Sequence, residues 1–384
     1  MAGKTIVVLG GGTGGVVAAN ELRRRLDREH QVVLVDREGS HVFWPSLLWL
    51  QVGLRKPESI VRDLAGLERK GIQVIKEPVE AIDPSLKTVR LPSREIEADQ
   101  MVISLGADLA PEKVPGLAEA GHNLYTLAGA TAVRDTRLQF TSGSLAVVVA
   151  STPFKCPAAP YEAAMLLEND LRKRKVRDRV SVSLFTPEAG PMGVAGPVVS
   201  ARMRDMLEER NIDYYPQHQI GHVDPNSRTL HFKDQNSASF DYLVFIPPHQ
   251  APAVVSAAGL TGDSGWIPVD RQSMETRYPG VYAIGDVTSI PLAMGLPLPK
   301  AGVFAHHQAQ VVAASIAARI TGSGSSLAFD GHGECFVEVG GGKAGFGRGD
   351  FYAEPVPKFK MYKPGRHWHA AKVLFEKDWF RRWL

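Results

Sequence analysis

Two residues of this 384-residue chain carry sulfur chemistry, Cys156 and Cys335. Cys156 lies in Lys155-Cys156-Pro157-Ala158-Ala159-Pro160, just ahead of a helical pattern from about Tyr161 to Lys173, where the helix dipole is expected to favour a thiolate. Cys335 falls on a strand-like run, Glu334 to Val339, and is followed by Phe336. Thiol–disulfide exchange needs the two sulfurs within a few ångströms, so their 179-residue separation demands a fold that brings them together. The expectation is a redox pair; the alternative is two unrelated buried thiols. Glu162, six residues after Cys156, can accept a proton if burial raises its pKa toward neutrality, although an exposed first-turn glutamate favoured by the helix dipole accounts for it equally well.

The elements that must position these residues begin at the N-terminus. Thr5 to Leu9 reads as a strand, Gly10-Gly11-Gly12-Thr13-Gly14-Gly15 as a turn, and Val16 to Arg25 as a helix; Gln31 to Val35 is a second strand that delivers Asp36. This is a βαβ dinucleotide-binding unit. Gly10 permits the tight turn, Gly12 lets the backbone approach a pyrophosphate, Gly15 lets helix and strand pack, and Asp36 stands where an acid meets a ribose hydroxyl. A second such unit starts at Leu145 to Ala150, but its turn is Ser151-Thr152-Pro153-Phe154-Lys155-Cys156. Proline lacks an N–H and the side chains crowd the turn, so a second pyrophosphate, and with it nicotinamide, is not expected there.

Farther along, Asp241 to Ile246 reads as a buried strand, Gly280 to Asp286 as a strand ending in a Gly-Asp turn, and Gly302 to Ile320 as a helix. Gly322 to Ser326 reads as a flexible joint, and two strands, Glu334 to Val339 and Ala344 to Phe346, flank Gly340-Gly341-Gly342. The fold class is therefore α/β: two Rossmann-like domains of FAD/NAD(P)-binding type plus a C-terminal membrane-attachment region. The expected division is 1–110 with 270–325 for the cofactor-binding domain, 111–269 for the second domain carrying Cys156, and 326–384 for the C-terminal region carrying Cys335.

Composition narrows the alternatives. Two cysteines exclude a disulfide-rich scaffold and a four-cysteine metal or iron–sulfur site. A net charge of +3 gives no support for a nucleic-acid partner, and no 18-residue apolar run or signal-peptide core is present. The histidines His306, His307, His332, His367 and His369 show no metal-ligand spacing, so no metal is expected.

Together, Gly10-x-Gly12-x-x-Gly15 with Asp36, the Ser104-Leu105-Gly106-Ala107 strand end and Ala283-Ile284-Gly285-Asp286 resemble the two-dinucleotide-binding-domain flavoproteins. Lys155-Cys156-Pro157-x-x-Pro160-Tyr161-Glu162, Pro299-Lys300-Ala301-Gly302 and Cys335-Phe336 are similar to the sulfide:quinone oxidoreductases, whose relative flavocytochrome c sulfide dehydrogenase shares the cysteine pair. The resemblance implies FAD held by Gly10, Gly12, Gly15, Asp36, Gly106, Gly285 and Asp286, with Lys300 beside the isoalloxazine, where a cation stabilises the reduced ring. Taken alone, Lys300 reads equally as a surface lysine. The resemblance also implies sulfide as substrate, Cys156 as the carrier of the sulfur chain and Cys335 as the thiol that passes electrons to the flavin. Tyr125 stands where the family has a third cysteine and Gly129 where many members have a histidine, which argues against covalent flavin attachment and a three-cysteine relay.

The tail suggests the acceptor. Residues 355–384 hold eight Lys/Arg against Glu376 and Asp378, and Trp368, Ala371, Phe375, Trp379 and Trp383 fall on one side of a helix, with Lys372, Lys377, Arg381 and Arg382 elsewhere. Such a helix is expected to lie in a membrane interface, making the protein monotopic, without a cleavable signal, on an unassigned membrane face. A subunit interface in a homo-oligomer is the competing explanation. A lipid-borne quinone, ubiquinone or menaquinone, would then be the acceptor, stacked on Phe336, Phe359 and Tyr362. The rival activities are sulfide dehydrogenase with a cytochrome c acceptor, NADH:quinone oxidoreductase, and a non-catalytic flavin-bound sulfur sensor.

Overall fold

The computed structural model describes residues 3–323 and 327–384. Part of the glycine-serine joint, 324–326, therefore lies outside the described residues. Two five-stranded parallel sheets and one antiparallel three-stranded sheet carry the architecture. The first sheet consists of β1 (Thr5–Leu9), β2 (Gln31–Val35), β3 (Gln73–Ile75), β4 (Gln100–Ile103) and a strand from late in the chain, Val281–Ala283. Its spatial order is Val281–Ala283, β4, β1, β2, β3. The second contains β5 (His122–Asn123), β6 (Gly143–Val149), β7 (Val180–Phe185), β8 (Ile212–Tyr215) and β9 (Tyr242–Ile246), in the order β5-β9-β6-β7-β8. With Val281–Ala283 as β10, the third sheet is β11 (His332–Gly340), β12 (Lys343–Asp350) and β13 (Lys358–Gly365), paired in sequence order.

Strands β1, β6 and β9 are runs of Val, Leu and Ile buried on both faces, as parallel strands sandwiched between helices must be. Helix α1 (Thr13–Arg25) leaves the end of β1 and packs against a late helix, Gly302–Thr321, along Val16, Val17, Ala313 and Ile316. The glycine turn between β1 and α1 is sterically required. A Cβ on Gly15 would sit 1.8 Å from the Gly10 carbonyl oxygen, and Gly10 itself has φ +98°. A Cβ on Gly12 meets nothing within 4 Å, leaving the helix N-terminus open on the side a phosphate would approach.

Helix α2 (Leu47–Leu50) and helix α3 (Ala159–Lys173) share an apolar core with β6, β7, β9 and β11. Numbering onward, Pro197–Glu208 is α4, Ala253–Ala257 is α5 and Gly302–Thr321 is α6. The last helix, α7 (Arg366–Trp383), lies across β12 and reaches α1.

The sequence placed the tryptophan stripe of α7 in a membrane interface; the structure turns two of its members, Trp379 and Trp383, inward. Trp379 and Trp383 are only 3% and 4% exposed and pack onto the protein. Trp379 stacks against His41 and touches Phe43 and His306, while Trp383 touches His306. An indole N–H needs an acceptor when buried, and His41 Nε2 provides one at 3.0 Å; His41 therefore carries its proton on Nδ1 and donates to the Gly11 carbonyl at 2.9 Å. Lys372, which the sequence put on the polar face, is turned inward and buried. Ser46 and Arg55 donate to Glu376 and fix the middle of the helix. The apolar side chains left outside are Leu374 and Phe375.

Candidate active site

The segment between β6 and α3 bends at Cys156, which has φ +55°, and forms a parallel bridge to the loop ahead of α6: the Cys156 N–H donates to the Lys300 carbonyl at 2.7 Å. Tyr125 Oη donates to the Lys155 carbonyl at 2.7 Å, holding the bend from the other side. Cys335 lies on β11, which packs on α3. Both thiols are free and partly buried, and both rest against the same apolar core. Charge on Cys156 opposes ionisation of Cys335.

Beneath them lies a buried ion pair. Glu162, on the first turn of α3, and Lys372, on α7, meet at 3.3 Å with side chains 2% and 5% exposed. Glu162 also accepts the backbone N–H of Glu338 at 2.7 Å. Glu338, on β11, is itself buried and accepts from His369 Nδ1 at 3.0 Å. Burial pushes the Glu162 carboxyl up despite its neighbour Lys372. Burial alone would lower Lys372, but Glu162, Glu338 and Cys335 together outweigh it and raise its pKa, so the ammonium form persists. The reading of Glu162 as an exposed helix-dipole residue is thus corrected.

The same surroundings overturn the expected thiolate. Burial, and next the charge of Glu162, push Cys156 up to about 12, with Lys372 working in the opposite direction. Cys335 is raised well above the usual thiol range by burial, Cys156 and Glu162. The α3 dipole cannot offset desolvation plus a carboxylate in the same pocket.

Lys300 donates through Nζ to the carbonyls of Asp286 (2.6 Å) and Thr288 (3.0 Å), and its ammonium stands 3.4 Å from the centre of the Trp266 ring. Burial lowers it to about 8, against the pull of Asp286. The Asp286 carboxyl is raised by burial, against Lys155 and Lys300. Gly285, with φ +74°, donates its N–H to Gln308 Oε1. Asp36 accepts from the N–H groups of Gly11, Glu38 and Gly39, which pins the end of β2 to the glycine turn. Gly106, at φ +70°, faces open space.

The three aromatic residues named from sequence do not form one group. Phe336 meets Phe346 at 5.2 Å, and Phe346 meets Tyr362 at 6.1 Å and stacks on Trp368 at 4.5 Å; Phe375 of α7 lies 6.4 Å from Phe336. Phe359 is not in that stack: its ring lies over Gly347, the strand partner of Cys335, meets Phe351 at 5.6 Å, and packs against both cores.

Sequence reasoning missed several neighbours. Trp266 and Trp49 carried no motif. Lys372 and His369 are identifiable only once α7 is seen to dock. His249 packs edge-on against Tyr125 and is pushed down to about 3 by burial and then by Lys155.

Comparison with known proteins places these observations in a family. Residues 4–315 match the model of the pyridine nucleotide-disulphide oxidoreductases. The chain is 30% identical over 394 residues to the sulfide-quinone reductase of Aquifex aeolicus, covering 97% of this chain and 90% of that protein. It is 24% identical to the mitochondrial sulfide:quinone oxidoreductase of Mus musculus, covering 92% and 80%. The X-ray structure of the sulfide:quinone oxidoreductase from A. aeolicus superimposes with a TM-score of 0.89 at 27% identity, covering 99% of this chain and 91% of that one.

Proposed function

The chain belongs to the pyridine nucleotide-disulphide oxidoreductases and, within them, to the sulfide-quinone reductases, and from that membership we propose that it oxidises sulfide at Cys156 and Cys335 and delivers two electrons to a quinone. The observation that supports this reading is that two thiols, remote in sequence, pack against the same apolar core and both feel the charges of Glu162 and Lys372.

FAD supplies the redox group: it takes an electron pair from one substrate and gives it to another. The residues present fit it. Gly12 and Gly106 leave open backbone, α1 starts without a side-chain cap, and Gly10, Gly15, Asp36, Gly285, Asp286 and Lys300 would complete its holding set. In this reading residues 1–110 with 270–325 form the FAD-binding unit, supported by the entry of Val281–Ala283 into the first sheet.

The chain's own residues perform the sulfur steps. With the two cysteines joined directly or through bridging sulfur, hydrosulfide attacks the bridge; one S–S bond forms on Cys156, one breaks, and Cys335 leaves as a thiolate. Lys372 opposes the burial of that thiolate, since its charge lowers both thiols. Glu162, with its raised pKa, takes the proton shed by the attacking sulfur. A quinone ring is assigned to Phe336, Phe359 and Tyr362: Phe336 and Tyr362 group with Phe346 and Trp368, and Phe359 packs against the same core as Cys335.

Membrane attachment belongs to the same proposal, in revised form. Among the described residues no helix is long and apolar enough to cross a bilayer. The contact is assigned to Leu374 and Phe375 of α7 with Trp44 and Leu54, all exposed. These are drawn together because Phe375 packs on Phe43 while Ser46 and Arg55 hold Glu376.

The test is anaerobic mixing of the FAD-loaded protein with sulfide and, separately, decylubiquinone, cytochrome c or NADH. Sulfide-dependent reduction of the quinone, without reduction of cytochrome c and without flavin bleaching by NADH, is expected. Bleaching by NADH with no response to sulfide would select the NADH:quinone alternative. Flotation with anionic vesicles, lost in Leu374→Glu/Phe375→Glu, checks the attachment surface.

A further inference from the structure

Oxidation of hydrogen sulfide to zero-valent sulfur releases two electrons and two protons, and the electrons leave with the quinone. One of these protons appears at sulfur atoms that are partly buried, above a wholly buried carboxylate. Four ionisable side chains lead away from that point. Lys372 donates to Glu162 at 3.3 Å; Glu162 accepts from the backbone of Glu338; Glu338 accepts from His369 at 3.0 and 3.1 Å. The Glu162 and Glu338 side chains are 2% exposed and Lys372 5%, whereas His369 is 27% exposed. His369 is thus the member of the cluster that reaches solvent.

A second feature is a buried donor beside the cluster. The Trp49 ring lies 5.0 Å from the Lys372 ammonium and 5.7 Å from the His369 ring, and its Nε1–H is buried without a hydrogen-bond partner. Buried donors are ordinarily satisfied, and an ordered water between Lys372 and His369 would satisfy this one. Such a water would also bridge the step from the Glu162–Lys372 pair to the Glu338 carboxylate, where no direct side-chain bond is made.

We propose that Glu338 and His369 are the positioning residues of a proton outlet, through which protons taken up by Glu162 at the cysteine pair pass by way of Lys372 and one water to solvent beside α7. This inference rests on the sulfide reading above. The balance is simple: hydrogen sulfide loses one proton to solvent on becoming the attacking hydrosulfide and the second along the outlet, two electrons reach the quinone, and the quinone takes two protons from its own side. His369 bonds Glu338 on β11, Glu162 of α3 faces Lys372, and Arg55 lies over the Trp49 ring.

A purely structural His369–Glu338 clamp on α7 predicts different behaviour, and chemical rescue separates the two. Holoenzyme wild type, His369→Ala, His369→Gln and Glu338→Gln, matched for flavin content and circular dichroism, are assayed for sulfide-dependent quinone reduction. Exogenous imidazoles of graded pKa and heavy water are then added, with the exposed Lys377→Ala as control. The outlet predicts a fall in kcat of about tenfold to a hundredfold for the His369 and Glu338 variants with KM for sulfide little changed. It also predicts recovery of His369→Ala that tracks imidazole basicity, and a larger solvent isotope effect in the variants than in wild type. Full activity of His369→Ala and Glu338→Gln, or a loss that imidazole and heavy water leave unchanged, would overturn it. Wild-type protein that does not oxidise sulfide at all would instead sink the parent reading, and the outlet with it.

Discussion

Replacing Lys372 by Met removes the one cation that faces Glu162, and the structure sets the size of the effect. Both partners are almost fully enclosed, so solvent screening gives little relief, and breaking one side of a buried pair costs about 3–5 kcal/mol. Glu162 has an escape: its pKa is already raised, so the orphaned carboxyl can take a proton, and the lower end, about 3 kcal/mol, applies near pH 7.5. For each kcal/mol a melting point moves by roughly 2–4 °C in chains of this order, giving a fall on the order of 6–12 °C. Because a raised folded-state pKa favours the protonated acid, the penalty shrinks as pH drops toward the Glu162 reference value, to a fall of only a few degrees at pH 5. The double variant Lys372→Met/Glu162→Gln should recover to within about 1 kcal/mol of wild type, since glutamine still accepts the Glu338 N–H and leaves no charge behind. Calorimetry or cofactor-fluorescence melting at pH 5 and 7.5 reads all four corners of the cycle. A single variant within 1–2 °C of wild type at pH 7.5, or a double variant as poor as the two singles summed, would refute the argument that this pair is buried and mutually dependent.

Four further outcomes follow from other parts of the molecule. Trp379→Phe keeps the ring but leaves His41 Nε2 buried without a donor, so thermal melting should show a loss of about 1–3 kcal/mol. Gly12→Ala, whose Cβ meets nothing, should fold with an unchanged melting point when freed of cofactor yet retain several-fold less FAD on dilution. Gly15→Ala, with its Cβ driven against the Gly10 carbonyl, should give little folded protein in the same fluorescence assay. His249, only 8% exposed and depressed to about 3, stabilises the fold when neutral. That contribution is complete above about pH 6.5 and is lost as pH falls toward 3, on the order of 4–5 kcal/mol, so His249→Gln should flatten the acid limb of a stability–pH curve.

The parts of this molecule governed by local rules were legible in its sequence. The Thr5–Leu9 and Gln31–Val35 strands begin and end as read, and the α1 and α6 helices are placed within a few residues, because glycine sterics and apolar runs act over short distances. Helix α7 was legible as a helix but not in its orientation. Its tryptophans gain more by filling the space around His41, Phe43 and His306 than by facing outward, and its inner lysine is stable only because Glu162, 210 residues earlier, is waiting for it. Strand β13 was not foreseen, and its register lays the Phe359 ring over Gly347 rather than in the Phe336–Phe346–Tyr362 group. The thiol environment was read from a helix dipole alone, whereas burial and a carboxylate from the same helix dominate.

The central claim is that Cys156 and Cys335 act as one sulfur centre, and anaerobic stopped-flow absorbance of the flavin after mixing with sulfide addresses it most directly. Wild type should bleach, and Cys156→Ser and Cys335→Ser should each lose at least roughly tenfold in rate, equivalent to about 1.4 kcal/mol of barrier. Unimpaired bleaching in either serine variant would contradict the account.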